Sequence, residues 1–191
     1  MKKTALVIVV IAILAVVFGV KGYNGLVEKD ENVKTAWGQV ENVYQRRADL
    51  IPNLVATVKG YAEHESETLQ GVVEARAKAT QLSINDFSEE SLKAYQEAQG
   101  GVTSALGRLM AIVENYPDLK ANQNFLDLQA QLEGTENRIA EARRNFNEVA
   151  NTYNKAVRRF PENIIASIFD FDQKGYFTAD EEAQKAPQVQ F

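Results

Sequence analysis

Residues 125–160 read FLDLQAQLEGTENRIAEARRNFNEVANTYNKAVRRF, and the spacing of apolar side chains in this stretch decides the fold class. Phe125, Leu132, Ile139, Phe146, Tyr153 and Phe160 recur every seventh residue, with Leu128, Thr135, Ala142, Val149 and Ala156 between them. Alternating steps of three and four keep one stripe of an α-helix facing a partner, so the pattern predicts a helix with an a/d seam. About 40 residues at 1.5 Å each make roughly 60 Å of helix. Pro161 closes it, because proline cannot continue the hydrogen-bond ladder.

The same arithmetic works upstream. Leu92, Tyr95, Gln99, Val102, Leu106, Leu109, Val113 and Tyr116 form a second seam, ended at Tyr116-Pro117. Asp86 with Glu89 three residues on supplies a capping signal at its start. Gly100-Gly101 places two poor helix formers inside it, each costing about 1 kcal/mol, which reads as close helix approach or a local break. Residues 81–88 are a polar connection. Before it, Leu26, Val33 and Val40 alternate with Trp37, Tyr44 and Ile51, and the phase continues through Val58, Ala62, Leu69 and Val72. Pro52 leaves two readings of this stretch: one kinked helix over about residues 24–81, or two antiparallel helices with a turn near Asp49 to Pro52. Segments of about 25, 30, 28 and 42 residues suit a four-helix bundle.

Three charged residues, Arg47, Glu65 and Arg76, share the core-facing phase. An unpaired charge there is too costly, so they read as structural pairs or snorkelling side chains, with a dedicated polar site as the sharper alternative. The last helix carries Asn137, Asn145, Asn147, Asn151 and Asn154. Such amides either bond across helices and fix register or form a face for a partner.

At the other end of the chain, Lys2 and Lys3 precede an apolar run closed by Lys21. Residues 4–20 give about 25 Å of helix, slightly short for a ~30 Å hydrocarbon core, with lysines at both ends able to snorkel. A cleaved signal peptide is the rival, but Val17-Phe18-Gly19-Val20-Lys21-Gly22 lacks the small-residue pattern of a cleavage site. A retained transmembrane anchor is the better reading. The loop lysines give a small bias toward an internal N-terminus.

Composition narrows the function classes. With no cysteine, the chain forms no disulfide, no thiolate metal site and no bacterial lipid anchor. A net charge of −5 with interleaved Lys and Glu speaks against nucleic acid. His64 is the one histidine, so a His-Glu-x-x-His zinc site is absent, and a surface or cap role is expected for it. Gly100, Gly101 and Gly107 lie in a helical seam, the wrong context for a phosphate loop. In the tail, Asp170, Asp172, Gly175 and Glu181 fall at positions 1, 3, 6 and 12 of an EF-hand loop. Lys174, however, puts a cation at position 5, and Pro161 and Pro187 limit the flanking helices. A calcium-binding tail is therefore the lesser alternative. The plainer one is that Phe169, Phe171, Tyr176 and Phe177 pack on the bundle while the acids stay solvated.

Several runs resemble the LemA family of bacterial membrane proteins. They are Tyr23-Asn24 with Leu26-Val27, Trp37, RADLIPNLV at 47–55, VKGYA at 58–62, His64-Glu65 and Ala75-Arg76. Further on come YPDLKAN at 116–122, LEGTENRI at 132–139, Tyr153-Asn154, Phe160-Pro161 and the tail through Val189 to Phe191. Phe146-Asn147 departs from the Tyr-Asn expected there. The resemblance covers nearly the whole chain. It implies an all-α protein: an N-terminal transmembrane helix, then an up-and-down four-helix bundle and a short aromatic, acidic tail. It also favours a turn at Pro52. The corresponding parts are residues 1–22 as anchor, 23–160 as bundle and 161–191 as a tail packing on it. The family carries no assigned reaction; one relative takes part in magnetosome membrane formation and others occur alongside membrane proteases. The expected function is thus a non-catalytic scaffold or adaptor in the bacterial inner membrane, single-pass, with the N-terminus inside. Its expected partners are the bilayer and membrane proteins, a membrane protease or itself among them. The alternative is a homo-oligomeric, lipid-associated membrane organiser. No catalytic, cofactor or metal residue is expected.

Overall fold

A computed structural model of the chain describes residues 2–84 and 86–178. Among the described residues there are six helices and no strand: α1 (Lys2–Lys59), α2 (Ser66–Gln81), α3 (Glu89–Val113), α4 (Pro117–Lys120), α5 (Gln123–Arg158) and α6 (Glu162–Ile168). The protein is all-α, a long apolar N-terminal helix followed by a helical bundle. It divides into two compact units: Met1–Gln45 with Asn137–Lys174, and Arg46–Glu136 with Gly175–Phe191.

α1 corrects the expected turn at Pro52. The helix runs through Pro52 to Lys59, and the reversal comes after it, where the Ala62 amide donates to Val58 O at 2.9 Å and the Glu65 amide to Ala62 O at 3.1 Å. A proline inside a helix costs about 3 kcal/mol, largely because it leaves the carbonyl four residues back without its donor. Here that carbonyl belongs to Ala48, and Arg76 Nε on α2 donates to it at 2.7 Å. The guanidinium replaces the missing N–H.

In the second unit, α1 contributes Ile51, Leu54 and Val58 to the core, α2 Leu69, Val72 and Ala79, and α3 Val102, Leu106, Leu109 and Val113. Leu119, Phe125 and Leu132 complete it from α4 and α5. Each fully buried Leu, Ile or Phe stabilises by about 1.5–3 kcal/mol relative to exposure. α3 starts at Ser88, whose Oγ accepts from the Ser91 amide at 3.2 Å. Asp86, expected as the cap, instead accepts from the Ser88 hydroxyl at 2.8 Å. Gly100 and Gly101 mark neither a break nor a close approach: α3 is continuous, and a Cβ at either would meet nothing within 4 Å.

In the first unit, Val33, Trp37, Val40 and Tyr44 of α1 and Ile139, Phe146, Ala150 and Tyr153 of α5 are buried. Trp37 meets Phe146 edge-on at 5.8 Å between ring centres. Phe160 leaves the seam, because α5 ends at Arg158; its ring is 75% exposed. α6 then turns back, burying Ile165 and Ala166 against Leu26.

Candidate functional site

Several of the runs that carry the family resemblance meet one another in the second unit through hydrogen bonds. Arg47 is 2% exposed. Its Nη1 donates to Glu136 Oε1 at 2.9 Å and Thr103 Oγ1 at 3.0 Å. Its Nη2 donates to the Gln99 side-chain oxygen at 2.6 Å and backbone carbonyl at 3.1 Å. A planar five-donor guanidinium suits this use, since it links α1, α3 and α5 without leaving its charge unanswered. Tyr116 Oη donates to Glu65 Oε1 at 2.9 Å, a bond that raises the phenol pKa above its ordinary value. Asn122 donates to Tyr61 Oη at 2.9 Å, and its own side-chain oxygen accepts from the Phe125 amide at 3.1 Å, capping α5. With Arg76 on Ala48, all three seam charges thus have partners, and the partners are structural. None presents a nucleophile beside a base.

The remaining sequence candidates lie apart from one another. His64 is exposed in the turn between α1 and α2. Among the described residues no group of three or more His, Asp or Glu is placed to hold a metal ion. Of the EF-hand positions, Glu181 lies outside the described residues, as do Pro187 and Val189 to Phe191. Lys174, at the fifth position, turns inward: its Nζ is 3.0 Å from Asp30 Oδ1 and 5.2 Å from the centre of the Tyr153 ring. Gly175 serves close packing, because a Cβ there would lie 2.8 Å from Glu89 Cα, and its amide donates to Phe87 O at 2.7 Å. Phe177 is buried and Phe171 half-buried, whereas Phe169 and Tyr176, expected to pack inward, are exposed.

The asparagines of α5 divide between the two readings. Asn154 is buried and holds the tail, donating to Lys174 O at 2.7 Å and accepting from the Lys174 amide at 2.8 Å. Beside it Tyr153 is fully buried, and burial, with Asp30 and Asp172 nearby, pushes its phenol pKa up. Asn137 and Asn151 are exposed, Asn145 and Asn147 half-buried. Asn145 donates to Gln39 Oε1 at 3.1 Å across an open groove of about 450 Å³ between α1 and α5. Lys29, Asn32, Thr35, Ala36 and Gln39 line it from α1; Asn145, Glu148, Val149 and Thr152 line it from α5, so the polar side chains stand among apolar surface. These side chains offer neutral donors and acceptors on both walls, with one charge of each sign. Such a groove can hold polar groups of another chain.

Sequence reasoning found the asparagines and missed their α1 counterparts. Asn32, Thr35 and Gln39 lie three and four residues apart, one side of a helix, and that spacing was the available signal.

A family model described as LemA family matches residues 36–191. Magnetosome protein MamQ of Magnetospirillum gryphiswaldense is 30% identical over 174 residues, covering 81% of this chain and 64% of its own. Magnetosome protein MamQ 1 of Paramagnetospirillum magneticum is 29% identical with the same coverage. Protein LemA of Metamycoplasma hominis is 26% identical over 158 residues, covering 83% of this chain and 69% of its own. The chain thus spans a little under two thirds of the length of the magnetosome relatives it matches.

Proposed function

The chain belongs to the LemA family, and from that premise and the geometry above we propose that it is a membrane-anchored, non-catalytic adaptor that binds another membrane protein. The observation that carries this reading is the open groove between α1 and α5, which presents amides and hydroxyls beside apolar surface in the unit that also carries the apolar segment. Residues 4–20 are the anchor, in the bacterial inner membrane as a single pass with the N-terminus inside. α1 passes from the apolar run into the groove-bearing stretch without interruption, so a partner held at Asn32 or Gln39 sits at a set distance from the bilayer. Helix-borne contacts are more rigid than loop-borne ones and suit a scaffold. Relatives named as magnetosome proteins are in line with an assembly role.

In-cell photo-crosslinking from Thr35 and Glu148 tests it. A stoichiometric second membrane protein, lost when Asn145→Arg fills the groove, is the expected result. Crosslinks to the chain itself alone would favour the homo-oligomeric organiser, and no crosslink from either wall would sink the groove as a contact surface.

A further inference from the structure

The first unit carries an apolar face that its own core does not use. α6 is a seven-residue helix that buries one apolar side and exposes Ile164 and Ile168 with Asn163 and Ser167 on the other. Ile165 and Ala166 are buried against Leu26, with Val157 and Phe171 packed beside them. On the other side Ile164 is 51% exposed, Ile168 66% and the following Phe169 55%. Phe160, two residues before α6, is also an exposed apolar ring. A surface helix ordinarily turns polar residues outward, whereas α6 exposes two isoleucines beside Asn163 and Ser167, an amphipathic mix.

What lies next to this face says what covers it. A Cβ added at Gly22 would collide with Cδ1 of Ile165, so α6 is seated directly on α1 at that level. Gly22 is two residues beyond Val20, the last apolar residue of the anchor, or about 3 Å along the helix. Leu26, the other α1 contact, is about 9 Å beyond it. That interval matches the headgroup layer, which adds about 5–8 Å to each side of the hydrocarbon. Tyr23, 38% exposed, packs on Phe169 at 4.8 Å and on Phe171 at 5.7 Å between ring centres. Amphipathic aromatic rings concentrate at this depth in membrane proteins. Lys21, Arg158 and Arg159 are exposed beside the face in sequence, and Asp170 and Asp172 are exposed at its other end. The charges roughly balance, so the attraction is apolar burial and not a preference for anionic lipid.

We propose that α6 with Phe160 and Phe169 is a second membrane contact, an interfacial helix that lies in the headgroup layer beside the anchor. It holds the base of the bundle against the bilayer, so that α1 does not pivot freely about Lys21. The proposal rests on residues 4–20 lying in the bilayer, and the test separates the two.

The natural chain has no cysteine, so single substitutions give unique labels. The full chain carrying an environment-sensitive fluorophore at Val16→Cys, Ile164→Cys, Ile168→Cys or Glu141→Cys is reconstituted in phosphatidylcholine vesicles. Each is then compared in the same lipid with bromines near the headgroup end of the chains. Quenching at 16, 164 and 168 but not at 141 is expected, since an interfacial helix buries its face about 5–10 Å into the headgroup–acyl boundary. Quenching at 16 alone overturns the interfacial helix and leaves the anchor standing. A blue-shifted, unquenched label at 164 and 168 also overturns it and assigns the face to a second copy of the chain. Absence of quenching at 16 removes the anchor and the inference together.

Discussion

Arg47 and Lys174 are both cations drawn in from solvent, and the two units hold them by different means. Arg47 lies deeper, at 2% exposure, yet its carboxylate partner Glu136 is 42% exposed. Most of its donors go to neutral acceptors: an amide oxygen, a hydroxyl and a backbone carbonyl. Lys174 is 19% exposed and brings its counter-charge in with it, Asp30 at 17% exposure, with the Tyr153 ring as a second, softer partner. A delocalised guanidinium can be met donor by donor, so it tolerates depth without a second buried charge. A compact ammonium needs a full opposite charge and so stays nearer the edge. The Arg47 site should therefore be the more costly one to break.

The largest effect is expected at Arg47→Met, which strands the Gln99 amide and carbonyl inside the second unit. A loss of about 2–5 kcal/mol in urea unfolding of the detergent-solubilised protein, followed by circular dichroism, is the expected outcome, since each stranded neutral acceptor costs about 1–3 kcal/mol. A loss below that of Asp30→Asn would break the comparison.

Next comes the substitute hydrogen bond. Arg76→Met leaves the Ala48 carbonyl without a donor and should cost about 1–3 kcal/mol. In a Pro52→Ala background the helix supplies its own N–H, so the same change should cost less, with a coupling of about 0.5–3 kcal/mol by double-mutant cycle. Strict additivity would show that the guanidinium does not replace the proline's missing donor.

Asp30→Asn sharpens the contrast through pH. Burial alone would raise the Asp30 pKa, but hydrogen bonds and charge from Lys174 and Lys34 outweigh it and hold the carboxyl below its ordinary 3.8. A depressed folded-state pKa gives stability that is present above the unfolded value and lost as pH falls through the folded one. The variant should be less stable by about 1 kcal/mol at pH 7, and the gap should close below about pH 4. A gap that widens in acid would contradict the assignment.

The smallest effect belongs to Tyr153→Phe. The buried hydroxyl has no hydrogen-bond partner among the described residues, while the ring face under Lys174 survives the change. Thermal unfolding should show no loss, or a gain of up to about 1 kcal/mol. A clear loss would mean that the hydroxyl, and not the ring, holds Lys174.

How far the sequence could be read differs from place to place for physical reasons. The seam of α5 was legible from Phe125 to Tyr153, because core-facing side chains repeat at the helix period whatever they pack against. It failed at Phe160, where the helix had already ended two residues earlier. α6 went unread: seven residues give less than two turns of pattern, too little for a period to declare itself. The capping residue shifted from Asp86 to Ser88, since both have the required oxygen and only backbone geometry selects one. Of the groove, Asn145 was visible among the α5 asparagines, and the α1 wall was not.

By itself the sequence determined the apolar N-terminal run, the long helical segments and most of the faces they bury, because hydropathy and periodicity are local properties of a chain. It also showed that Arg47 and Arg76, at core-facing positions, must find partners or snorkel to water. Which partners, only the tertiary structure decided. Arg76 reaches Ala48 across 28 residues and Arg47 reaches Glu136 across 89, and nothing local specifies an approach between segments that distant. The reason lies in what a hydrogen bond needs: the sequence states the unmet donor or acceptor, but packing brings the other half within 3 Å.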